Sequence, residues 1–154
     1  MLIKDTLNDK IATLANRCIE DDSIFLVDVE IKGTHAKPVI WVLLESDKGG
    51  IKLDECAKIS RQLHLLIEAN EIAGKDFTLN VSSPGLSKPL MVIRQYKVNI
   101  GRLAKVKYNA EGKIITEQGV IDSSNEESFT LKSDKKTINI NYSQVLETLI
   151  QPVI

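Results

Sequence analysis

Ser82, Ser83 and His64 are the residues of this 154-residue chain that come nearest to a nucleophilic set. The two serines stand in Val81 Ser82 Ser83 Pro84 Gly85 Leu86 Ser87 Lys88 Pro89 Leu90, and His64 falls on an upstream stretch with helical periodicity. Acyl transfer by such a set needs a hydroxyl activated by a neighbouring base and backbone N–H groups placed to receive an oxyanion. The Gly-x-Ser-x-Gly elbow is missing, and Pro84 removes the N–H that would follow Ser83. Metal chemistry fares no better. His35 and His64 are the only histidines, neither in a ligand spacing, and Cys18 and Cys56 occur singly without a Cys-x-x-Cys pair. No Gly-rich phosphate loop is present. These residues predict no catalytic group, no metal, no cofactor and no small-molecule substrate.

Binding chemistry is better represented. The net charge of −1 hides an asymmetry: residues 1–83 carry 10 basic and 14 acidic side chains, net −4, and residues 84–154 carry 10 and 7, net +3. Between Asp76 and Glu111 there is no carboxylate, while Lys88, Arg94, Lys97, Arg102, Lys105 and Lys107 all fall in that window. Such a block is either a solvated face or a track for phosphates. The aromatic residues are dispersed, and no Gly-x-x-Gly clamp occurs, so stacking or KH-type readout of RNA has little support. Backbone electrostatics, which reads shape more than sequence, is what remains.

The window opens at the serine stretch. Pro84 and Pro89 fix their own φ and restrict Ser83 and Lys88, and Pro84-Gly85 reads as the centre of a tight turn. Ser82, Ser83, Ser87 and Lys88 are therefore held in defined directions, either as a stiff hinge whose hydroxyls cap backbone groups or as a binding loop.

The elements that must position these residues follow from periodicity. Leu7, Ile11, Leu14, Ala15, Cys18 and Ile19 mark one face of a helix over Lys4 to Glu20. Ile24 to Lys32 alternates, with Phe25, Val27, Val29 and Ile31 on one side, and Val39 to Leu44 follows as an antiparallel, central strand. Leu53, Cys56, Ile59, Leu63, Leu66 and Ile67 predict a second helix ending near Asn70, with Lys58, Arg61 and His64 on its wet side. Phe77 to Val81 is a third strand, parallel to its predecessor. Cys18 and Cys56 are expected as small core residues. After a short helical turn at Met91 to Tyr96 the pattern changes to brief β runs: Arg102 to Tyr108, Gly119 to Asp122, Ser128 to Ser133, Thr137 to Tyr142 and Leu146 to Ile150. Five short strands so closely spaced predict a small closed barrel. The expected fold is α+β: an N-terminal two-layer domain (α-β-β-α-β) over 1–83, a rigid connector over 84–100, and an all-β SH3-like or Sm-like barrel over 101–154. No apolar run is long enough to span a bilayer and no signal region follows Met1, so no membrane contact and a cytoplasmic location are expected.

Gly49 Gly50 Ile51, Asp54 Glu55 Cys56, Ile59 Ser60 Arg61 Gln62 Leu63, and above all Phe77 Thr78 Leu79 Asn80 Val81 Ser82 Ser83 Pro84 Gly85 Leu86 make the chain similar to the bacterial ribosome maturation factor RimP family along essentially its full length. The resemblance implies a non-catalytic factor that binds the small ribosomal subunit during assembly, touching rRNA and ribosomal proteins, uS-twelve among them. It also implies an α/β first domain and an SH3-like or Sm-like second. The sequence departs from the family where Ser87 Lys88 replaces a common Asp-Arg and Asn80 replaces a common Glu. Lys88 keeps the charge without the planar fork of arginine. With the basic window, the resemblance puts the ribosome-binding residues at Ser82, Ser83, Gly85, Lys88, Arg94, Lys97, Arg102, Lys105, Lys107 and Arg61, in a monomeric chain. The alternative is a protein-interaction adaptor without direct RNA contact, its basic window only solubilising.

Overall fold

The computed structural model describes residues 6–152. They form a mixed α/β chain of two compact units that divide between Pro84 and Gly85.

The first unit runs α1 (Leu7–Cys18), β1 (Ile24–Gly33), β2 (Pro38–Ser46), α2 (Leu53–Ala69) and β3 (Thr78–Ser82). The Asp9 N–H donates to Thr6 Oγ1 at 3.1 Å and the Thr6 N–H to Asp9 Oδ2 at 3.2 Å, a reciprocal cap that starts α1. Lys4 and Asp5, the expected start of this helix, lie outside the described residues. At the other end Ile19 is extended, so the helix stops short of Glu20. The sheet order is β1-β2-β3, antiparallel then parallel, with β2 in the centre. Ile11 and Ala15 of α1, Leu63 and Ile67 of α2, and Ile40 and Leu44 of β2 share one buried cluster, so both helices cover the same sheet face. Cys18 and Cys56 are buried, and burial pushes both thiols up, away from the reactive thiolate.

Two expectations fail here. The strict alternation assigned to β1 breaks at a bulge between Leu26 and Asp28. The extra residue reverses the inward parity, so Ile24, Leu26, Val29 and Ile31 meet the helical core while Phe25 and Val27 do not join it. Leu53, assigned to the inner face of α2, is 87% exposed because it is the first helical residue, ahead of the turn that packs.

The second unit contains α3 (Ile93–Val98), β4 (Leu103–Ala110), β5 (Lys113–Ser124), β6 (Ser128–Lys132), β7 (Thr137–Asn141), one 3-10 turn (Tyr142–Gln144) and β8 (Val145–Ile150). All pairings are antiparallel, in the order β7-β6-β5-β4-β8. β5 begins at Lys113, six residues ahead of the expected Gly119. Thr116, Glu117 and Gln118 hide it from an apolar count, although they pair along β4. Gly119 is required in its middle, since a Cβ there would stand 2.8 Å from the Lys132 carbonyl oxygen. The core is aromatic at its centre: the Tyr96 ring lies 4.6 Å from Phe129 and 4.9 Å from Tyr142, centroid to centroid.

Candidate nucleic-acid interface

The stretch after β3 is ordered by backbone bonds, though not by the turn expected of it. The β-turn bond runs from the Lys88 N–H to the Gly85 carbonyl at 3.0 Å, so Leu86 and Ser87 are its central residues and Pro84-Gly85 precede it. Gly85 is not among the glycines with positive φ, and its conformational freedom goes unused. Pro84 constrains only φ; the turn forms where the first hydrogen bond closes. Ser82, at the end of β3, is half-buried and donates from Oγ to the Ser83 carbonyl at 3.2 Å, while Ser83 and Gly85 are exposed and Lys88 is half-buried.

Beyond Pro89 the chain is fastened to the second unit. The Leu90 N–H donates to the Thr148 carbonyl in β8 at 2.9 Å. Gln95, 1% exposed, accepts at Oε1 from the N–H groups of Met91 and Val92, at 2.6 and 3.0 Å. Buried Asn99 donates from Nδ2 to the Gln95 carbonyl at 2.7 Å and accepts at Oδ1 from Arg102 Nη1 at 3.3 Å. Tyr96 completes the anchor: its hydroxyl lies 2.9 Å from Thr148 Oγ1, and burial pushes the phenol up against a smaller opposing effect of that bond. With Gln95 and Tyr96 turned inward, Arg94 and Lys97, three residues apart, share the exposed side of α3.

Lys105 and Lys107 alternate along β4 with buried Ala104, Val106 and Tyr108, so both point outward from one face, about 7 Å apart along the strand. Across β5 they stand opposite Gln118 and Thr116, and across β8 opposite Leu149 and Glu147. The same face holds a residue outside the charge window. Val120 is opposite both Leu103 and Lys132, so Lys132 of β6 joins the row that Leu103 begins and Lys105 continues. No window in the sequence shows this, because the register brings together residues 29 positions apart. Leu103 and Val120 are themselves 41% and 36% exposed, an apolar pair between lysines. The second unit thus gathers Arg94, Lys97 and Arg102 around α3, and Lys105, Lys107 and Lys132 on the sheet. Arg61, exposed on α2, belongs to the first unit with Ser82 and Ser83.

Nucleophilic chemistry is not assembled. His64 Nδ1 is 2.7 Å from Glu68 Oε1, and its ring lies 4.6 Å from that of Phe77. Phe77 precedes β3 and Ser82 ends it, so about 16 Å of strand separates the residue against which His64 packs from the serines. Among the described residues no cluster of three His, Cys, Asp or Glu side chains could hold a metal ion, and no helix is long and apolar enough to cross a membrane.

A family model described as the RimP N-terminal domain matches residues 14–87. A protein of Cytophaga hutchinsonii named ribosome maturation factor RimP is 40% identical over 109 residues, which covers 66% of this chain and 65% of that protein. One of the same name from Chlorobium phaeobacteroides is 38% identical over 100 residues, covering 62% of this chain and 57% of the relative. The matched stretch spans less than two thirds of the length of either curated relative.

Proposed function

Since this chain belongs to the RimP family, we propose that it is a ribosome maturation factor that binds the small ribosomal subunit during assembly, stoichiometrically and without catalysis. The observation that carries the reading is the outward basic surface of the second unit, where Lys97, Lys105, Lys107 and Lys132 are all exposed. Phosphates of rRNA are its natural counterpart, because point charges on a sheet face and a short helix neutralise a backbone without reading bases. Arg61, Ser82, Ser83, Gly85 and Lys88 complete the proposed contact set, and uS-twelve is the proposed protein neighbour.

An SH3-like barrel over 101–154, joined by the connector 84–100 to an α/β domain over 1–83, belongs to the same proposal. The strand order β7-β6-β5-β4-β8, the 3-10 turn before the last strand and bulges in two of the pairings support it. A monomeric, cytoplasmic protein fits a single-copy partner in that compartment.

The test is sedimentation with free small subunits, large subunits and translating ribosomes. Selective comigration with the first is expected, weakened by Lys105→Glu with Lys107→Glu at unchanged folding. For every lysine that no longer neutralises a phosphate, the slope of log affinity against log salt should flatten by about 1. Wild-type comigration and slope in the double variant would overturn the RNA contact. The exposed Leu103–Val120 pair favours a second reading, an adaptor that docks on protein alone, for which binding would change little with salt.

A further inference from the structure

The sheet of the first unit has two outer edges, and they are treated differently. Unpaired strand edges are templates for adding another strand, and proteins shut the ones they do not use. The edge of β1 is shut. Gly33 stands opposite Pro38, which has no N–H, so that pair is not of the hydrogen-bonded kind, and Val29, four residues back, has the same parity. The N–H and C=O of Val29 therefore face away from β2, and side chains take both. The N–H donates to Asp28 Oδ1 at 2.9 Å, and the C=O accepts from Asn8 Nδ2 of α1 at 2.9 Å. The adjoining bulge further spoils the edge for pairing.

The edge of β3 has none of these devices. Thr78–Ser82 is a regular five-residue strand, an ordinary length, paired in unbroken register with β2, and it contains no proline, no bulge and no charge. No side chain is bonded to its backbone among the contacts of the described residues; Ser82 Oγ turns instead to the Ser83 carbonyl.

We propose that the open edge of β3 accepts an extended polypeptide segment of the assembling small subunit, by main-chain pairing. This rests on the ribosome-binding reading above and adds the place and the kind of contact. The edge itself has no cation to offer a phosphate, which argues against RNA as its occupant. The exposed side of α2 carries both signs, Asp54 and Glu68 with Lys58 and Arg61, so charge does not decide against a second copy, and that occupant is left to the experiment. An extended polypeptide needs no cation, since main-chain groups alone pair with the edge, and the strand leads directly into Ser82–Gly85 of the proposed contact set, which favours a segment of the bound subunit.

The experiment is amide hydrogen exchange of the full chain, free and bound to small subunits purified by cosedimentation. The β3 amides that do not bond β2 are expected to slow at least tenfold in the complex, with the β1 edge unchanged. Cosedimentation without added β3 protection overturns the strand contact and leaves the ribosome reading standing, whereas no cosedimentation overturns both. Equal protection by protein-free rRNA, or protection that rises with concentration of the free chain, also overturns the proposal by assigning the edge to RNA or to a second copy.

Discussion

Removing the Tyr96 hydroxyl tests whether the segment after Pro89 is held by the bond proposed to anchor it. In Tyr96→Phe the aromatic stack on Phe129 and Tyr142 is kept, but Thr148 Oγ1, fully buried, loses its partner at 2.9 Å. An unsatisfied buried hydroxyl costs about 1–3 kcal/mol, and Thr148→Val strands the tyrosine oxygen at a similar cost. Replacing both partners removes the donor and the acceptor together, so the double variant should lose much less than the sum of the two, with a coupling of about 1–2 kcal/mol. For a unit of this size each kcal/mol moves the unfolding midpoint by about 4–8 °C. The sequence supplies separate probes. Trp41, the one tryptophan, reports the first unit, and all three tyrosines, Tyr96, Tyr108 and Tyr142, lie in the second. The tyrosine near-ultraviolet signal of Thr148→Val should melt earlier while Trp41 fluorescence keeps its midpoint. Single-variant losses that add up in the double variant would refute the pairing, because the two hydroxyls would then not be compensating one another.

Three further outcomes follow from the same structure. Leu63→Ala, at a fully buried position of α2, should cost about 2–5 kcal/mol on the Trp41 transition, whereas Leu65→Ala, 67% exposed, should stay within about 0.5 kcal/mol; equal effects in denaturant melts would refute the packing of α2. The β4–β5 hairpin turns at Glu111 and Gly112, with φ of 53° and 86°, so Glu111→Asn should raise the tyrosine-monitored stability by about 0.5–1 kcal/mol, and a decrease would contradict the turn geometry. Burial raises the Tyr96 pKa above the ordinary phenol value, so its proton is held more tightly in the folded chain. The resulting stability is complete below about pH 10 and is lost as pH rises through the folded pKa. Burial raises Tyr142 as well, so alkaline titration of tyrosinate absorbance should show two late phenols coupled to unfolding, and Tyr96→Phe should remove one of them.

How much of this is legible in the sequence varies with the range of the interaction involved. The helices α1 and α2 can be read because a 3.6-residue period of apolar side chains survives any docking, and Thr6, Asp9 and Asn70 lie at their ends. The short strands β6 and β7 can be read for a similar reason. The basic window is a matter of counting. Side-chain period and charge are local properties, so the sequence by itself determined the elements and the unequal charge of the two halves.

What only the tertiary structure decided depends on hydrogen bonds between distant residues. One extra residue in β1 reverses which side chains enter the core, and only the pairing with β2 reveals it. The polar half of β5 is a strand because β4 binds it, and Lys132 joins Lys105 because β5 lies between them. The turn at Leu86-Ser87 displaced the one that Pro84-Gly85 advertised, because a proline limits φ without choosing the acceptor for the next N–H. The two edges of the first sheet differ for the same reason, since Asn8 can shut an edge only after α1 has docked against β1.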